Sequence, residues 1–327
     1  MMQAIVDAEL GDDVFGEDPT VQLLESETAS LLGKEVAVYV PSGTMSNQIA
    51  LRVHTHPGDE VILEADAHIR HYEGGAAAGL SGLQLYPVKG DRGIMTASQV
   101  TAAVRGHFDW DPRTSLVCLE NTHNRAGGTV YPIDVIAEIS TAARDRSLAM
   151  HLDGARLWNA AVATGISEAE YAAHFDTISV CLSKGLGAPV GSLLVGSTEH
   201  IAKARRARKA FGGGMRQAGI IAAAALHALR NHREDLSQDH SNARVLAEAL
   251  EAFSAVQLDP DGVETNIVMF DVTDGRSAVD VLQELASAGV LMVPFGPTRI
   301  RATTHRDVGK ADILAAIERS APVLDPS

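Results

Sequence analysis

The sequence predicts an α/β protein with a large domain on a mostly parallel sheet and a smaller C-terminal α+β domain. Two observations carry this reading. As far as about residue 235, short aliphatic or β-branched runs, apolar throughout, alternate with helical patterns, as expected of strands buried on both faces of a sheet. Beyond about residue 240 the order changes to helix, strand, helix, paired strands and a closing helix, enough for a compact second unit. The boundary is placed so that the domains span 1–235 and 236–327.

The elements follow in order. EVAVYV (35–40) reads as a strand and leads into a helix from Met45. EVILEA (60–65) and LQLYPV (83–88) are the next strands, with a helix from Ala97. SLVCLE (115–120), a helix after Pro132, LAMHLD (148–153), TISVCLS (177–183) and GSLLVG (191–196) come after them. Only a short Gly/Pro loop separates the last two strands, which suits an antiparallel hairpin. An Ala-rich helix over roughly 217–229 is apolar on most sides and is expected to be buried, at a subunit interface. NARVLAEALEAF, TNIVMFDV and VDVLQELASAG give the helix, strand and helix of the second domain, and strands near 290–303 complete its sheet.

Composition narrows the function. With 46% hydrophobic and 21% charged residues the chain suits a globular protein with a substantial core. A formal net charge of -15 argues against nucleic acid or an anionic membrane as partner. Lys203, Arg205, Arg206, Arg208 and Lys209 form one basic stretch against that background, either a solvated helix face or an anion site. No apolar run is long enough to cross a bilayer, and MMQAIVDAELGDD is too acidic for a signal peptide. A cytoplasmic location is the expectation. Cys118 and Cys181 lie in strand-like runs and read as buried, reduced thiols.

Open α/β sheets bind ligands outside the carboxyl ends of their strands, so polar residues just after apolar runs carry the most weight. Ser42, Gly43 and Thr44 end one strand and open a helix, where they can cap it or let backbone N–H groups reach a phosphate. Asp153 ends LAMHLD and is either a helix cap or a carboxylate able to hold a protonated pyridine nitrogen. Lys184 follows TISVCLS directly. A lysine there is a snorkelling surface cation or a Schiff-base former whose charge is disfavoured by its surroundings. In FGGGMRQAG, Gly212, Gly213 and Gly214 precede Arg216, a helix break or a segment that brings Arg216 to a phosphate. Each signal is weak alone; the order of phosphate loop, strand-end Asp and strand-end Lys is far more restrictive.

With these motifs the chain resembles the L-threonine aldolase family of fold-type-I pyridoxal-phosphate enzymes, in the β-eliminating-lyase group. The resemblance runs over GDDVFGEDPT (11–20), PSGTMSNQ (41–48), HIRHYEGG (68–75), ENTHN (120–124), HLDGAR (151–156), CLSKGLGAPVGSLLVG (181–196), GGGMRQAG (212–219) and RATTH (301–305). It implies an aminotransferase-like fold and pyridoxal 5'-phosphate as cofactor. Lys184 would carry the cofactor, Asp153 would pair with the ring nitrogen and His68 would stack on the ring. Gly43 and Thr44 would hold the phosphate, helped by Arg216 of a neighbouring subunit in a tetramer. Arg156 would sit near the cofactor's phenolate and the substrate carboxylate, with Arg301 as a second carboxylate contact and Lys209 nearby. His71, in the same segment as His68, reads as an ordinary surface histidine. No metal is expected.

Two departures accompany the resemblance. Members carry an N-terminal segment of the type L-R-S-D-T-x-T whose serine contacts the carboxylate, and this sequence begins at MMQAIVDAELGDD. Many also carry a histidine in a segment like H-F-P-R-T; here Trp110-Asp111-Pro112-Arg113-Thr114 stands in that place, with His107 three residues earlier. The base for the β-hydroxyl proton is therefore open among His68, His123 and His107. The function expected is cleavage of L-threonine, L-allo-threonine and related β-hydroxy amino acids to glycine and an aldehyde. The alternatives are another pyridoxal-phosphate lyase, of phenylserine-aldolase or β-elimination type, or a cofactor-binding protein of low activity.

Overall fold

The computed structural model describes residues 1–106 and 108–325. Two compact units emerge from it, one made of 1–125 with 131–233, the other of 126–130 with the chain from 234 onward.

The first unit is built on β1 (Val36–Val40), β2 (Glu60–Glu64), β3 (Gln84–Val88), β4 (Thr114–Glu120), β5 (Ala149–Gly154), β6 (Thr177–Cys181) and β7 (Ser192–Gly196). They form one sheet in the order β1-β7-β6-β5-β4-β2-β3. From β3 to β6 the strands are parallel, whereas β7 runs antiparallel to both β6 and β1. The mostly parallel sheet and the β6–β7 hairpin expected from the sequence are thus present. Strands β2, β4, β6 and β7 are buried along their whole length, which is why they read as continuous apolar runs. Pro87 sits in β3, an edge strand, where a missing N–H is tolerated.

Helices cover the sheet. Ile49 and Ala50 of Gly43–His54 pack with Ile201 and Ala204 of Thr198–Ala210 against Val38, Val40 and Leu194. Leu51 joins Val61, Leu63 and Leu116 in a second cluster. Each fully buried aliphatic side chain contributes about 1.5–3 kcal/mol. Cys118 and Cys181 are buried free thiols, as expected.

Three findings go beyond the sequence reading. Pro19–Leu31 is a helix that apolar periodicity does not reveal, because its inner face buries Glu25 and Thr28 along with Val21 and Leu24. Asp18 caps it through Val21 N–H and also accepts from Gly219 N–H at 2.9 Å. The Ala-rich helix runs Gly219–Asn231 and packs on Pro19–Leu31 of the same chain, so its burial does not require a second subunit. The basic stretch turns partly inward: buried Arg208 donates to Tyr39 O and pairs with Asp13, and Arg205 pairs with Glu25. It is not simply a solvated face.

The second unit holds β8 (Val256–Gln257), β9 (Ile267–Val272), β10 (Val293–Pro294) and β11 (Arg299–Thr303) in an antiparallel sheet ordered β10-β11-β9-β8. Leu246, Leu250, Phe270, Leu285, Ile300 and Ile313 fill the space between this sheet and helices Leu236–Glu251, Ala278–Ser287 and Lys310–Leu324. Among the described residues, no helix is long and apolar enough to cross a membrane.

Candidate active site

Parallel pairing sets Glu120 of β4 opposite Asp153 of β5, so both carboxylates reach the carboxyl end of the sheet. Asp153 is 2% exposed. Its Oδ2 accepts from Asn47 Nδ2 at 2.8 Å and its Oδ1 from Ala155 N–H at 3.1 Å. One oxygen therefore caps the backbone while the other joins a side-chain network. Asn47 Nδ2 also donates to Glu73 Oε1 at 2.8 Å, and Gln48 Nε2 donates to Glu73 Oε2 at 2.6 Å. His68 Nδ1 lies 2.9 Å from Glu73 Oε1, and polar atoms of His68, Glu73 and Asp153 fall within 4.8 Å of one another. The His68 ring stands 5.3 Å from the Tyr72 ring. Burial pushes the His68 pKa down, but the bond to Glu73 and the charges of Asp153, Glu73 and Glu120 outweigh it and hold the pKa above its ordinary value.

Lys184 lies just beyond β6 and is half-buried. Burial first and the Arg156 guanidinium second hold its amine below the usual lysine range, against the opposing charges of Cys181, Asp153 and Glu120. It makes no ion pair among the described residues. Arg156, half-buried, stands just ahead of helix Leu157–Thr164 and two residues past the end of β5.

Ser42 caps helix Gly43–His54 by accepting from Met45 N–H at 3.2 Å, so the capping reading applies to Ser42 itself. Gly43 and Thr44 open the helix, where the first amides have no intrahelical partner. Beside them Ser192 Oγ is buried without a hydrogen-bond partner among the described residues, 3.6 Å from where a Cβ on Gly43 would lie. The glycine loop passes close to the same helix start: a Cβ at Gly213 would meet Met45 Sδ at 2.2 Å. Lys209 is exposed and runs along Gly214. Arg216, also largely exposed, pairs with Asp12 Oδ2 at 3.1 Å and lies 5.9 Å from the Phe15 ring.

The other expected residues are placed differently. His123 is 1% exposed, with Nε2 3.1 Å from Glu64 Oε2. It packs under the turn at Gly93 (φ +82°), where any Cβ would meet its ring at 2.4 Å. His107 lies outside the described residues. Arg301 belongs to β11 of the second unit, its guanidinium 4.8 Å from the Phe295 ring. His71 is exposed and 3.4 Å from Asp66.

The profile of the beta-eliminating lyase family matches residues 1–274. The chain belongs to that family. It is 40% identical to low-specificity L-threonine aldolase 1 of Arabidopsis thaliana, over 96% of this chain and 89% of the relative. It is likewise 40% identical to low specificity L-threonine aldolase of Escherichia coli K12, over 96% of this chain and 92% of the relative. A solved threonine aldolase of Leishmania major shares the fold, with a TM-score of 0.80 at 20% identity, covering 95% of this chain and 91% of that one.

In this member of the beta-eliminating lyase family, four polar residues of the network have no individual signature in the sequence: Asn47, Gln48, Glu73 and Glu120. All four lie inside segments that carried the resemblance, PSGTMSNQ, HIRHYEGG and ENTHN. The available signal was position: each stands within a few residues of a strand end or of a residue already suspected.

Proposed function

We propose that this family member is a pyridoxal-phosphate-dependent carbon–carbon lyase. It would cleave L-threonine, L-allo-threonine and related β-hydroxy amino acids to glycine and an aldehyde. The observation that carries this is Lys184: a desolvated lysine at the end of a buried strand, without an ion pair among the described residues, within the electrostatic reach of Asp153 and Arg156. The names of relatives at 40% identity support the same reading.

The residues fit the cofactor. Lys184 offers an amine to its aldehyde, and Asp153 a carboxylate to its ring nitrogen. His68 offers a ring to stack, and the start of helix Gly43–His54 offers free amides beside the unpartnered Ser192 hydroxyl. Bound there, pyridoxal phosphate supplies an electron sink for the pair left on the substrate α-carbon when the Cα–Cβ bond breaks. The lowered pKa of Lys184 leaves more of its amine neutral and nucleophilic at a given pH. Asp153 keeps the proton on the ring nitrogen. Arg156 holds the substrate carboxylate, which fixes the orientation of the breaking bond. His68 is assigned the β-hydroxyl proton: its Nδ1 is committed to Glu73, which leaves Nε2 for the substrate.

The assembly proposed is a cytoplasmic homotetramer in which Arg216 and Lys209 serve a neighbouring site; their exposure supports this. Incubating the purified protein with pyridoxal phosphate and a panel of β-hydroxy amino acids tests the activity. Equal amounts of glycine and aldehyde are expected. A keto acid and ammonia without glycine would contradict the reading.

A further inference from the structure

Behind Asp153 a chain of buried polar groups continues into the sheet, and its order is set by local geometry. His151 and Asp153 are two apart on β5 and so share a face of the sheet. Thr177 is the cross-strand neighbour of His151 on β6. Asn47 and His54 are seven apart on helix Gly43–His54, two turns along one side. The helix thus meets the two strands with Asn47 against Asp153 and His151, and His54 against Thr177. Asn47 Oδ1 lies 3.2 Å from His151 Nε2, His151 Nδ1 lies 2.9 Å from Thr177 Oγ1, and Thr177 Oγ1 lies 2.9 Å from His54 Nε2. Asn47, His151 and Thr177 are each no more than 2% exposed.

We propose that Asn47 is the positioning residue of this site, one amide that holds Asp153 and, through Glu73, His68, with its own orientation locked by the chain His54–Thr177–His151. This rests on the function proposed above. Donors and acceptors balance in only one way. Both hydrogens of the Asn47 amide are used, one by Asp153 and one by Glu73. Turning the amide over would set its carbonyl against two carboxylates in a dry site. Its oxygen therefore accepts, and His151 Nε2 carries the hydrogen. Nδ1 is then bare and accepts from the Thr177 hydroxyl, whose oxygen accepts from His54 Nε2–H. His151 Nδ1 also lies 3.1 Å from Thr177 O, a contact that would serve the opposite tautomer. That tautomer would leave a bare Nε2 facing the Asn47 carbonyl, so the hydroxyl wins. Burial keeps both imidazoles neutral, His151 at about 4 and His54 at about 3, and neutral rings are what this single-direction chain requires. Every donor points toward Asp153 and Glu73, which fixes the two carboxylates without cancelling their charge.

Two measurements test the assignment. The first needs no cofactor: nitrogen-15 NMR of the histidine rings in the protein alone, with His151→Gln identifying the resonance. The expected result is His151 protonated on Nε2 and bare on Nδ1; the reverse overturns the proposal, whatever the protein binds. The second uses pyridoxal phosphate, after its binding to the unmodified protein has been established. That prior measurement is the one that fails if the functional reading is wrong. Asn47→Leu is expected to weaken cofactor affinity and lower kcat, each roughly tenfold to a hundredfold, with KM nearly unchanged. The pH midpoint of the bound cofactor's absorbance should shift as well. Unchanged affinity, kcat and midpoint overturn the proposal. If Asn47→Leu does not fold, Thr177→Val and Thr177→Ser decide. Valine should shift the midpoint and lower kcat severalfold, and serine, which keeps the hydroxyl, should restore both; equal behaviour of the two overturns it.

Discussion

The amino end of β2 and the carboxyl ends of β2, β4 and β5 carry carboxylates treated in opposite ways. At the amino end of β2, Glu60 takes a bidentate pair from Arg105 at 3.0 and 3.1 Å, and Asp59 takes one from Arg113. At the carboxyl end, Glu64, Glu120 and Asp153 are held by the His123 imidazole, the Asn47 amide and backbone N–H groups of Asp66, Gly90, His68, Asn124 and Ala155. A guanidinium pair cancels the charge it binds and closes the contact. Dipolar donors fix a carboxylate in place and leave its field acting on a cation brought nearby. The amino end is closed by its guanidinium pairs, and the carboxyl end keeps its carboxylate field open, as the proposed pairing of Asp153 with a protonated ring nitrogen requires.

The largest effect should come from removing the amine that faces this field. Lys184→Ala is expected to lower the rate of glycine formation by at least about three orders of magnitude, measured at saturating substrate and cofactor. Next, Asp153→Asn keeps the shape and the Asn47 contact but removes the charge. A loss of roughly 10²–10³ in kcat is expected, with the thermal midpoint little changed. Near-normal turnover would reduce Asp153 to a helix cap and erase the distinction between the two ends.

Acid should separate the two regions further. Burial, together with the charges of His200, His151 and Lys203, pushes His54 down to about 3. The unfolded chain therefore takes up a proton near pH 6.5 that the folded chain refuses. Stability contributed by neutral His54 is complete above that pH and is lost as pH falls toward 3, at up to about 1.4 kcal/mol per pH unit. His68 and His123 are shifted upward and act in the opposite sense, so the useful quantity is a difference. His54→Gln should lose less stability than the unmodified protein between pH 7 and 5 in urea unfolding; identical losses would show that His54 is not held neutral. The smallest effect belongs to the closed end. Glu60→Gln should cost about 1 kcal/mol of stability, read as a shift in urea midpoint, and leave kcat as it was.

Much of this was legible in the sequence because it depends on local pattern. Continuous apolar runs located the seven strands of the large sheet to within a residue or two, and strand ends pointed to Asp153 and Lys184. What escaped depends on contacts between distant segments. Asn47 meets Glu73 across 26 positions and Asp153 across 106, and nothing in a helical Asn marks it as a bridge. The packing of His123 under the turn at Gly93 is likewise invisible in ENTHN. Helix Pro19–Leu31 was missed because buried Glu25 and Thr28 break the apolar period that would have announced it.

The central claim is that the carboxyl end of the sheet presents Lys184 to a cofactor aldehyde. The most direct test is borohydride reduction of the protein loaded with pyridoxal phosphate, followed by proteolysis and mass spectrometry. The account predicts that the cofactor's mass appears on the peptide containing Cys181 to Gly187, at Lys184. Label at Lys209 or another lysine, with Lys184 unmodified, would contradict it.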